Sequence, residues 1–135
     1  MAIEKIRVTP RDDFDYYAAE ELDFKRLFTG EHLSISIDKY RPGQRTPKLY
    51  KRRPNNGKEI LLPFQGKLKI MAGEQEFIAD PSANGLTLYV IDALTERNFE
   101  NVGDTDALVL VFFAPPFSVA EIQDFLVQTG QNQAA

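Results

Sequence analysis

The 135 residues (15.3 kDa) amount to about one domain's worth of chain, and 43% hydrophobic with 27% charged residues is the balance of an ordinary globular protein. Zero cysteines exclude disulfides, thiolate metal sites and a cysteine nucleophile. The single histidine, His32, excludes a two-histidine metal site within one chain. The net charge of −4 hides an asymmetry: from Arg41 to Lys69 nine basic residues stand against one acid, Glu59, which puts +8 on that segment and leaves −12 on the rest.

In chain order, Met1 to Pro10 alternates Ile3, Ile6 and Val8 with charges and lacks the apolar run of a signal peptide. No stretch approaches the roughly 18–20 apolar residues that span a bilayer; Leu108 to Phe113 is only six. A soluble, cytoplasmic chain with no membrane partner is therefore expected. Residues 11 to 28 mix aromatic and acidic side chains and suggest a short helical turn followed by a strand. His32 to Tyr40 alternates strictly, which predicts a half-buried strand with Leu33, Ile35 and Ile37 on one face and Ser34, Ser36 and Asp38 on the other. Pro42-Gly43 ends it, and a polar loop runs to Gly57.

Glu59 to Phe64 and Lys67 to Met71 read as strands joined by Gln65-Gly66, a hairpin signal. Further strands are expected at Glu76 to Ala79, Leu86 to Ile91, Arg97 to Asn101 and Ala107 to Ala114, with Ala72-Gly73, Asp80-Pro81, Asn84-Gly85 and Gly103-Asp104 as turns. Turn signals every ~8–12 residues indicate an all-β sandwich or barrel. Ser118-Val119-Ala120-Glu121 has the form of a capping box, and Ile122, Phe125 and Leu126 share a helical face, so a short C-terminal helix is predicted over about 118–130. One domain, 1–135, is expected throughout.

Tyr40-Arg41-Pro42-Gly43 before a loop, then Glu59 followed after six residues by Gly66, resembles the first motif of the cupins. Asn101-Val102-Gly103-Asp104 leading into the strand from Ala107 is similar to the end of their second motif. Over residues 24–117 the resemblance implies an antiparallel double-stranded β-helix, a jelly-roll barrel, often a homodimer, with its site inside the barrel mouth. In metal-binding members the first motif carries two histidines before the glutamate and the second carries one before the asparagine. Here those places fall on Arg52 and Pro54, or Arg53 and Asn55, and on Arg97. Only Glu59 remains of four ligands, and arginines repel a divalent cation, so no metal and no other cofactor is expected.

Inward-pointing Glu59 and Arg97 would form either a closed ion pair replacing the metal or a site in which Arg97, with Arg52, Arg53 and Lys48, binds a ligand anion while Glu59 serves as acid or base. Tyr40 and Tyr50 are candidate donors at the mouth, Tyr50 with a catalytic role beside Glu59. Among the aromatics, Phe64, Phe77, Tyr89, Phe99, Phe112 and Phe113 are expected to fill the core. His32 is expected to be structural or exposed. The acidic whole and the lack of an aromatic platform argue against nucleic acid.

Three functions follow as expectations. The first is a metal-free barrel binding a small anionic or polar organic ligand without catalysis. The second is a metal-independent isomerase, epimerase or cyclase using Glu59 with Arg97 or a tyrosine. The third is an interaction protein whose basic loop, 45–58, docks an acidic partner.

Overall fold

The computed structural model describes residues 3–7, 14–17, 21–51, 57–92, 95–116 and 126–128. Its strands are β1 (Asp15–Tyr17), β2 (Leu22–Thr29), β3 (Ser34–Tyr40), β4 (Leu49–Lys51), β5 (Lys58–Gln65), β6 (Leu68–Ala72), β7 (Gln75–Ala79), β8 (Tyr89–Asp92), β9 (Arg97–Asn101), β10 (Ala107–Ala114) and β11 (Leu126–Gln128). A single helical turn, α1 (Pro81–Asn84), begins with proline after an Asp80 cap whose carboxylate accepts from the Ala83 N–H. The strands form two antiparallel sheets, ordered β1-β2-β3-β10-β5-β8 and β11-β4-β9-β6-β7. Leu61, Val109 and Val111 of the first sheet pack against Leu68, Ile70 and Phe99 of the second. Among the described residues, no ladder joins β8 to β7, so the two sheets stay open along that seam.

Strands β9 and β10 have the bounds expected from the pattern, and Ala72-Gly73 opens the β6–β7 hairpin, with Gly73 at φ +61°. Other expectations are corrected. Gln65-Gly66 is not a hairpin: β5 and β6 belong to different sheets, and Gly66 is the corner between them. Its φ of +81° favours glycine, and a Cβ there would lie 2.7 Å from both Ala107 Cα and Asp106 O. The chain turns there under β10, where no side chain fits.

Strand β3 alternates as expected, and its pairing decides which set faces the core, although Ile37 of the other set is buried too. Ser34 pairs with Phe113 and Ser36 with Val111, two core residues of β10, so the serines point inward and are buried, while Leu33 is exposed and Ile35 is half-buried on the outer face. Register against a neighbour, not the polarity of the strand alone, chooses the buried face. Residues 15–17, expected near a helical turn, form a strand paired with Leu22–Phe24. Leu126–Gln128, expected at the end of a helix, form a strand paired with Leu49–Lys51; residues 118–125 of that predicted helix lie outside the described residues. The described residues contain no helix long and apolar enough to cross a membrane.

Two buried polar side chains tie the barrel's ends. Asn101 donates through Nδ2 to Tyr40 O and Thr105 O, both at 2.8 Å, and its Oδ1 accepts from the Gly103 N–H at 2.8 Å. Thr46 Oγ1 accepts from the Phe99 N–H at 2.9 Å, holding the loop after β3 against β9. The asparagine of the second motif is thus a structural clamp with all its polar atoms satisfied.

Candidate functional site

Glu59 is the second residue of β5, and its register opposite Phe113 of β10 and Ile91 of β8 points it into the core. Arg97 opens β9 in the other sheet, opposite Ala72 of β6 and Leu49 of β4. The two meet between the sheets: Arg97 Nη1 donates to Glu59 Oε1 at 2.6 Å, with side-chain exposures of 1% and 2%. The guanidinium also donates through Nε to Thr95 O at 2.9 Å and through Nη2 to Asp92 O at 2.8 Å. Arg97 therefore staples the turn between β8 and β9 to the carboxylate on β5. Removing two charges from water is costly, and a short charge-assisted bond with further donors engaged is what offsets it. The two side chains are thus paired and buried, as both expected arrangements require them to be brought together.

A cavity of about 530 Å³ lies beside this pair, at the open seam between β7 and β8. Ile70, Ala72, Phe77, Leu88, Tyr89 and Ile91 supply most of its wall. Gln75, Thr87, Asp92 and Thr95 supply polar groups. Phe77 and Tyr89 cross the seam with ring centroids 5.6 Å apart, so a tilted aromatic contact spans the two sheets where no backbone ladder does. Asp92 and Thr95, whose carbonyls hold Arg97, belong to the wall, whereas Glu59 and Arg97 do not. The cavity thus borders the ion pair's outer partners.

The remaining expected site residues are dispersed. Tyr40, expected at the mouth, is 1% exposed in the core, its ring 6.0 Å from that of Phe99, because β3 ends where Asn101 clamps its carbonyl. Lys48 is exposed just before β4. Tyr50 lies in β4 with its backbone paired to Val127, its side chain not described, and Arg52 and Arg53 lie outside the described residues, as do Pro54 and Asn55. His32 is exposed, 3.8 Å from Glu31. Of the six aromatics expected in the core, Phe99 and Phe113 are buried, Tyr89 and Phe112 are half-buried, and Phe64 and Phe77 are exposed, because the latter two point to the sheet surfaces or the seam. The cavity residues Thr87, Leu88 and Thr95 carried no motif that marks them; the alternating Leu86, Leu88 and Val90 was their one available signal.

Solved structures similar to this one carry the same architecture. The cupin domain of Schizosaccharomyces pombe Cnp3 superposes with a TM-score of 0.63 at 14% identity, over 79% of this chain and 66% of that one. The fold is that of the cupins. KdgF from Halomonas sp. follows with a TM-score of 0.67 at 14% identity, over 86% of this chain and 97% of that one. A cupin 2 conserved barrel domain protein from Salinispora arenicola gives 0.64 at 12% identity, over 92% and 97%. This chain thus spans just under two thirds of the first and nearly all of the other two. No family model matches the sequence, and no curated protein does.

The cupin fold implies a metal in many of its members, and the donor set here does not fit one. Among the described residues no cluster of three His, Cys, Asp or Glu side chains could hold an ion. Glu59 keeps its carboxylate for a guanidinium at 2.6 Å, and a guanidinium has no lone pair to offer a cation. The position that takes the third histidine in metal-binding cupins instead supplies a permanent positive charge.

Proposed function

We propose that this cupin-fold barrel is a metal-free binding module for a small polar organic molecule held in the cavity between β7 and β8, without strong catalysis. The observation that carries this reading is the pairing of a closed, buried Glu59–Arg97 contact with a separate cavity of about 530 Å³ next to it. Volumes of about 300–1,000 Å³ with a mainly apolar lining and a few polar groups are typical of small-molecule sites. The ring faces of Phe77 and Tyr89 suit a flat or apolar body, and Gln75, Thr87 and Thr95 suit hydroxyl, amide or carbonyl groups on it. Arg97 is neutralised by Glu59 and engaged with two carbonyls, which favours an uncharged polar ligand over an anion. A general-base role for Glu59 would require Arg97 to release it, so the ion pair supports binding over proton transfer.

A thermal-shift screen of sugars, cyclic polyols, aromatic alcohols and organic acids tests the proposal, followed by calorimetry on any compound that stabilises the fold. Ala72→Phe, which fills the cavity from β6, is expected to abolish binding while Lys48→Ala leaves it unchanged. Binding that survives Ala72→Phe, or no stabilisation by any compound of these classes, overturns the reading.

A further inference from the structure

The cavity between the two sheets meets its neighbours in different ways. All four residues of β8, Tyr89, Val90, Ile91 and Asp92, line it, as do Thr87 and Leu88 just before. Successive side chains of a strand point to opposite faces, so a space touched by every residue lies along the strand's edge, where backbone N–H and C=O groups project. From the β6–β7 hairpin, by contrast, the wall takes Ile70 and Ala72, then Gln75 and Phe77. Those are alternate residues of one face. The hairpin is therefore a floor and β8 a side wall, and the space over the floor is where the next strand of the six-stranded sheet would lie. Among the described residues no strand pairs with β8 on that side, since β8 ends its sheet.

The edge of β8 also lacks the usual protection. Sheet edges are normally blunted by charges, proline or bulges, because unpaired backbone groups recruit other strands. From Leu86 to Ile91 there is no charged residue, proline or glycine, and the β5–β8 register runs without a bulge. Val90 is 57% exposed and Leu88 59%, and a strand laid beside β8 would cover both. Among the described wall residues the one charged side chain, Asp92, is bonded to Lys58. The groove thus offers backbone polar groups and apolar side chains without net charge.

We infer, on the reading of this cavity as a binding site, that its ligand is a short peptide in extended conformation, added antiparallel to β8 as a further strand. Peptide amides are the uncharged donors and acceptors that a free edge matches. Main-chain bonds to the edge supply affinity, and the alternate side chains that face Phe77 and Tyr89 supply selectivity. At about 3.3 Å per residue the wall positions from Thr87 to Asp92 match a peptide of about five residues. A second copy of the chain does not fit. In an antiparallel pairing of two β8 edges each chain brings its β6–β7 floor to the same side, and each floor would occupy the other's place. A single extended strand carries no floor.

Calorimetry with the capped peptide acetyl-Thr-Val-Thr-Val-Thr-amide and its single N-methyl variants tests the inference. Each methyl group deletes one backbone donor, and in a strand alternate donors face the same neighbour. Every second methylation is expected to weaken binding about tenfold or more, and those between to change it by less than about threefold. Amide hydrogen exchange along β8 is expected to slow at alternate positions when the peptide is bound. Ala72→Phe, and Thr87→Trp at an exposed position of the wall, should each abolish peptide binding. Binding that ignores the position of the methyl group, leaves exchange along β8 unchanged or survives both variants overturns the inference. Protection of β8 that rises with protein concentration alone makes a second copy its occupant and overturns it as well. Binding of a polyol or aromatic alcohol that both variants block, with no response to the peptide up to about 1 mM, overturns the peptide and leaves the binding site standing. No binding by any of these compounds overturns both.

Discussion

Replacing Arg97 by methionine keeps the unbranched stem of the side chain and deletes its charged head. It removes the 2.6 Å bond to Glu59 and the donors to Asp92 O and Thr95 O from a place where the side chain is 1% exposed. Removing one member of a buried pair costs about 3–5 kcal/mol, because the remaining charge loses its partner without regaining water. Against a domain stability of about 5–15 kcal/mol this is a large fraction, and for a chain of this size it corresponds to a fall in Tm of roughly 10–15 °C. Urea unfolding followed by circular dichroism measures it. The double variant Glu59→Leu with Arg97→Met removes both charges and should recover about 2–3 kcal/mol relative to the sum of the single changes. An Arg97→Met cost below about 1 kcal/mol, or single and double changes that add within ~0.5 kcal/mol, would refute the reasoning.

Three further outcomes are expected. Gly66→Ala should destabilise by more than about 2 kcal/mol, because its Cβ would meet the Ala107 and Asp106 backbone at 2.7 Å. Gly43→Ala, with a similar φ of +80° but nothing within 4 Å of its Cβ, should cost only about 1 kcal/mol; equal losses in thermal melts would dismiss the steric account of the Gly66 corner. Thr46→Val should cost about 1–2 kcal/mol in chemical denaturation by leaving the buried Phe99 N–H without its side-chain acceptor, and a neutral result would mean that N–H finds another partner.

How much of this was legible depended on whether a feature is local. Strands β9 and β10 have the expected bounds because turn residues bracket runs whose apolar content suits strands. The alternation of serines with aliphatics in β3 is symmetric on paper and names no inner face; only pairing with Val111 and Phe113 decides which set points inward. The corner at Gly66 carries the same residues as a tight hairpin, and what distinguishes it is the backbone of β10 pressing on Gly66, more than forty positions away. Glu59 and Arg97 could be matched only by placing each on its own motif, since 38 residues separate them. The cavity had no signature, as it arises from hydrogen bonds that β7 and β8 do not make to one another.

The charge asymmetry takes its meaning from the same pairing. Cations of the +8 segment meet acids from outside it: Arg41 with Asp23 at 3.4 Å, Lys58 with Asp92, and Lys69 with Glu76 at 3.0 Å. Conversely Glu59, the segment's one acid, meets an arginine from outside it. The exposed pairs are each worth about 0–1 kcal/mol, so their consequence lies less in stability than in the field they leave. A metal held by one carboxylate and neutral imidazoles presents a net positive charge to its ligand. The Glu59–Arg97 pair presents none, only a dipole behind the wall of the cavity. An anion drawn by unpaired cations would lose affinity steeply with added salt, since exposed charges are screened over about 8 Å at physiological ionic strength. A neutral polar molecule in the β7–β8 cavity should instead bind with nearly the same affinity in low and high salt, and calorimetric titrations at both distinguish the two.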